Sequence, residues 1–142
     1  MKKIFIFIVL LASGFAMIHS QTITVKISGI KNSKGNIRLA FFASEEEYKK
    51  EDPRITKYIS KEGLIDGCIT AVYTDIRPGT YGIALLDDEN KNGEMDYSFF
   101  LPKEGFGFSD YYFKGLTKPS YKHFSFDIDK CDKTIHIKVR YM

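Results

Sequence analysis

The chain has 142 residues, of which 44% are hydrophobic and 27% charged, with a formal net charge of +3. Its length suits one domain with a substantial core. Lys2 and Lys3 belong to an N-terminal segment that reads as an export signal, and without them the charge falls to +1, so the basicity leaves no footprint for nucleic acid.

The first twenty residues carry the three parts of an export signal. Lys2 and Lys3 form a positive start, and an apolar run from Ile4 to Leu11 continues through Phe15, Ala16, Met17 and Ile18. Ile18-His19-Ser20 is an imperfect cleavage site that would leave Gln21 first. The run is short and broken by Ser13 and Gly14, whereas a spanning helix needs roughly 20 apolar residues, so no stable transmembrane anchor is expected. The domains are therefore a signal peptide over 1–20 and one domain over 21–142. The location is periplasmic or extracellular.

Residues 21–28 alternate, with Ile23, Val25 and Ile27 on one side, which predicts a half-buried strand. After a turn at residues 31–35, Ile37, Leu39 and Phe41 alternate again, and the pair reads as a hairpin. Ser44 and Glu47 form a capping box for a short helix near residues 45–50, stopped by Pro53. Residues 69–73 read as a strand. Pro78-Gly79 suits the centre of a type II turn, and residues 80–86 follow as a strand that is apolar on both faces and hence central. Residues 88–120 lack periodicity, and a loop of that length in a small domain is functional or held by something. Residues 122–129 and 134–141 are the last strands. Short alternating strands with turn signals argue for an all-β fold, a single Ig-like or transthyretin-like β-sandwich of about six to seven strands with one short helix and a long loop.

The long loop opens on Asp88-Glu89-Asn90-Lys91-Asn92-Gly93-Glu94-Met95-Asp96. Oxygen side chains stand at positions one, three, five and nine, with glycine at six, as in the front of an EF-hand calcium loop. Calcium favours several hard oxygens held by a tightly turned backbone. The candidate ligands are Asp88, Asn90, Asn92 and Asp96 through side chains, and Glu94 through its carbonyl. Position twelve is Phe99 rather than a bidentate Glu, so Asp87 or Glu104 is the candidate to complete the shell. An Asn- and Asp-rich hairpin turn without metal also fits these residues.

Cys68 and Cys131 are the only cysteines, and they read either as a disulfide or as two buried thiols. His123 and His136 have no nucleophile or acid pattern beside them, so no catalytic residue is assigned. Phe106, Phe108, Tyr111, Tyr112, Phe113 and Tyr121 read as a cover for the core, with sugar stacking or partner anchoring as the alternative.

Three segments occur in order: Arg77-Pro78-Gly79-Thr80-Tyr81, Asp88 to Gly93, and Pro102-Lys103-Glu104-Gly105-Phe106-Gly107-Phe108-Ser109, with Pro119, Ser120 and Phe124 beyond them. The series resembles exported bacterial proteins of domain-of-unknown-function family 2141. That resemblance implies a compact exported β-sandwich and brings no activity with it. The Pro-Gly-x-Tyr turn is more loosely similar to transthyretin-like modules, in which the tyrosine, here Tyr81, packs at the sandwich edge. The expected function is a non-enzymatic, calcium-stabilised module for an envelope or extracellular ligand, protein or glycan. The alternatives are a structural accessory domain without metal, or a hydrolase of a cell-envelope polymer.

Overall fold

The computed structural model describes residues 21–142; the export signal expected over 1–20 lies outside the described residues. In chain order the elements are β1 (Ile23–Ser28), β2 (Asn36–Phe42), α1 (Glu45–Lys50), β3 (Ile55–Ser60), β4 (Ile69–Tyr73) and β5 (Gly79–Asp88). Then come β6 (Tyr97–Ser98), β7 (Leu101–Pro102), β8 (Gly105–Phe108), β9 (Ser125–Ile128) and β10 (Lys133–Lys138).

Two sheets face each other. The first has the order β10-β1-β4, with β1 parallel to β10 and antiparallel to β4. The second has the order β3-β2-β5-β8, and β9 pairs with the opening half of β5. The expected hairpin between the first two strands does not form, because β1 and β2 lie in different sheets. Each strand has an apolar side that must be buried, and stacking the two sheets buries both. Ile23, Val25 and Ile27 from β1 join Ile37, Leu39 and Phe41 from β2 and Ile135 and Ile137 from β10 in one core. Burying each such side chain contributes about 1.5–3 kcal/mol.

The strand β5 is central, as its two apolar faces predict. It pairs with β2 along one edge, and with β9 and then β8 along the other. Its outer side is also covered: Phe42, Tyr48, Phe108, Tyr121 and Phe124 form a second cluster there. The helix α1 supplies Tyr48 to this layer. Ser44 Oγ accepts from the Glu47 N–H at 3.1 Å, and Glu47 reaches back to the Ala43 N–H at 2.7 Å.

Ten strands stand where six to seven were expected. Gly79 has φ 156°, a positive value that suits glycine but lies far from the roughly +80° of a type II turn, and it opens β5. The final predicted strands are shorter than read: a 3-10 turn at Tyr121–His123 precedes β9, and β10 ends at Lys138. Cys68 and Cys131 are both free and exposed, which corrects the buried-thiol reading. Cys68 precedes Ile69, opposite Ile27, whereas Cys131 lies two residues before Lys133, opposite Ile23. Four steps along β1 already separate them by about 13 Å, beyond the roughly 7 Å that a disulfide spans. Among the described residues no helix is long and apolar enough to cross a membrane.

Candidate functional site

Strand alternation sends Asp87 and Asp88 to opposite faces of β5. Asp87 turns into the sandwich, where it meets Lys61 and accepts from Tyr141 Oη at 2.5 Å. It is thereby removed as a completing ligand. Asp88 turns outward and is 1% exposed. Its carboxylate accepts from the Asn92 N–H at 3.1 Å and the Gly93 N–H at 2.8 Å, closing the chain on itself. Gly93 has φ 78°, the left-handed bend that the sequence assigns to it. Gly35, from the β1–β2 connection, packs so closely that a Cβ there would lie 1.9 Å from the Asp88 carbonyl oxygen.

The expected side-chain oxygens are brought together. Asn90 Oδ1 accepts from the Asn92 N–H at 3.1 Å, and Asn92 Oδ1 from the Glu94 N–H at 3.0 Å. Asp96 receives the Asn90 amide at 2.5 Å and the Asn92 amide at 3.1 Å. Glu94 contributes its N–H to Asn92, and its side chain is exposed. Glu104, 5% exposed, joins both ends of the loop, accepting from the Glu89 N–H at 3.1 Å and the Asp96 N–H at 3.3 Å. Burial raises its carboxyl above the ordinary range, and the charges of Asp96 and Asp88 push the same way while the two N–H donors oppose them.

Among the described residues no three His, Cys, Asp or Glu side chains gather as a metal cluster. The loop offers instead a mixed set of two aspartates and two asparagine amides beside Glu104. The Asn90 and Asn92 amide hydrogens stand beside Asp96 where a cation's charge would act. An entering cation would have to displace them.

The same loop walls a groove of about 690 Å³ on the outer face of the second sheet. Arg38 and Ala40 of β2, Ala84 and Leu86 of β5, and Phe106 and Phe108 of β8 form its floor. Gly93 to Met95, Tyr97 and Phe100 make one wall, and Phe113 with residues 115–119 makes the other. Arg140 fastens that second wall, donating to the carbonyls of Phe113 at 2.9 Å and Gly115 at 2.8 Å. Lys118 pairs with Glu51 just beyond α1.

The aromatic cluster covers the core, as expected, and part of it also lines the groove. Phe108 and Tyr121 are core residues, and Phe106, Tyr111 and Phe113 pack against them. Phe106, Phe108 and Phe113 also line the groove, while Tyr112 is exposed. His123 stacks on Tyr111, with ring centroids 5.2 Å apart, and His136 sits on β10; neither lines the groove.

Arg38 carries no motif in the sequence that would single it out. Phe99, noted above only as the residue at loop position twelve, and Phe100 are 94% and 97% exposed at the tip of the β6–β7 hairpin. Ser98 pairs with Leu101, so these two phenylalanines form a two-residue turn, with φ 48° and 67°. Such turns normally take Asn-Gly. In Ser-Phe-Phe-Leu the two central positions hold no turn residue to signal one.

The fold and this site define a two-sheet β-sandwich with an aspartate- and asparagine-rich loop beside an outer groove. The chain belongs to the family described as uncharacterized protein conserved in bacteria (DUF2141), whose model matches residues 25–136. No curated protein and no solved structure matches it.

Proposed function

We propose that this chain is an exported, non-enzymatic binding module. It takes an envelope or extracellular ligand in the outer groove, and calcium stabilises it at the Asp88 loop. One observation carries this reading: Gly93, Glu94 and Met95, held by the closure of the loop on Asp88, also form a groove wall. Ordering the loop therefore orders the ligand site. A concave, aromatic-lined groove of several hundred Å³ that also carries polar groups falls in the size range of small-ligand sites. The positions of His123 and His136 outside it favour binding over hydrolysis. The amino-terminal segment supports export, and millimolar calcium outside the cell would fill a weak site.

A metal-free accessory domain is the second reading. It is favoured by the Asn90 and Asn92 amides, which already satisfy Asp96. Thermal melting separates the two. Binding to the folded state alone adds about 1.4 kcal/mol at ten times the dissociation constant. Wild type should melt higher in millimolar calcium, and Asp88→Ala should lose that rise. A wild-type melting temperature indifferent to calcium would leave the accessory-domain reading.

A further inference from the structure

Arg38 stands in the floor of the groove with a buried Nε that has no hydrogen-bond partner. Among the described residues it enters no ion pair. A guanidinium stays charged at any physiological pH and offers five donors in a planar fork. Leaving Nε buried and unpaired is costly and holds the guanidinium in place, and the terminal Nη1 and Nη2 of the fork, which are not among the buried unpartnered atoms, are the donors that an arriving anion meets.

The other acids of the groove do not serve. Glu51 is taken by Lys118, and Glu94 is exposed at the wall without pairing Arg38. Register fixes the surroundings of the arginine. Arg38 lies opposite Leu86, which lies opposite Phe106. One step along the same face, Ala40 lies opposite Ala84, which lies opposite Phe108. Ala40 is buried in the second cluster, so half-buried Ala84 is the small residue that lowers the floor beside Arg38, while Phe106 and Phe108 present rings at its margin. Same-face neighbours along a strand are about 7 Å apart, close to the span of an aromatic ring that bears a carboxylate.

We infer that the groove recognises an aromatic carboxylate, with the anion on Arg38 and the ring over Ala84 against Phe106 and Phe108. This rests on the groove being the ligand site of the proposed function. The carboxylate matches the planar fork in a two-point contact that an amide of the same shape cannot reproduce.

The test uses 2-naphthoate and its neutral isostere 2-naphthamide, titrated by calorimetry into the purified protein. Wild type should bind the carboxylate at least about tenfold tighter than the amide, as expected of a charge-assisted pair. Arg38→Gln should erase that preference while the amide binds as before. Ala84→Leu, which fills the floor, should weaken both. Equal affinity for the two probes in wild type overturns the anion assignment and leaves the groove as a ligand site. Binding of neither probe at millimolar concentration overturns both. Binding untouched by Ala84→Leu places the probes elsewhere and overturns the assignment. The wild-type comparison of the two probes decides even if a variant fails to fold.

Discussion

Lys61 and Asp87 form an ion pair in which both side chains are 0% exposed. Lys61 also donates to the Lys34 carbonyl at 2.6 Å, and Tyr141 donates to the other Asp87 oxygen. The pair thus joins the end of β3, the end of β5 and the carboxy-terminal segment beneath the candidate calcium loop. Removing one partner strands a buried charge. Lys61→Met should cost about 3–5 kcal/mol, and Lys61→Met with Asp87→Leu should recover much of it. Urea midpoints of the two variants measure the difference.

The helix cap gives a prediction with a pH sign. Ser44→Ala should cost about 1 kcal/mol. The Glu47 carboxyl lies below its ordinary value of 4.5, first because the Ala43 N–H donates to it, with Arg54 adding to the effect and burial opposing it. The folded protein therefore holds this proton less tightly than the unfolded chain. The resulting stability is present above the ordinary value and lost as pH falls through the lower, folded one. Glu47→Gln should flatten that part of the acid-unfolding curve.

Phe99 and Phe100 occupy left-handed backbone that bulky residues avoid. Replacing them by Asn-Gly should stabilise the protein by about 1 kcal/mol, since the turn then has its preferred residues. Differential scanning calorimetry reads the rise in melting temperature. An unchanged or lower value contradicts the strain.

Arg140→Ala removes the two bonds that hold the Phe113 and Gly115 carbonyls. Amide exchange across residues 113–117 should quicken at least about tenfold, because hydrogen bonds to charged groups contribute roughly 1.5–3 kcal/mol. Exchange in β1 should stay unchanged, since that strand lies in the other sheet.

Periodicity told most where one face meets the core. The alternation of Ile23, Val25 and Ile27, the two-sided apolarity of β5 and the capping box of Ser44 and Glu47 all carry local signals, and each has its structural counterpart. Strand partners were not legible. Parallel pairing of β1 with β10 joins residues more than a hundred positions apart, and no local pattern encodes it. The strand β3 alternates only between half-buried and exposed, at the edge of its sheet, and β8 is half glycine. The Asp88 loop was legible because the spacing of its oxygen side chains and glycine is local. Arg38 was not, because its lack of a partner depends on walls contributed by residues 93–119.

Calorimetric titration of calcium into wild type and Asp88→Ala tests the central claim most directly. Wild type should show saturable one-site binding at roughly 10⁻⁴–10⁻³ M, the range of extracellular calcium modules, and Asp88→Ala should show none. Flat heats for wild type through millimolar calcium, or equal binding by the variant, would contradict a calcium site at the Asp88 loop.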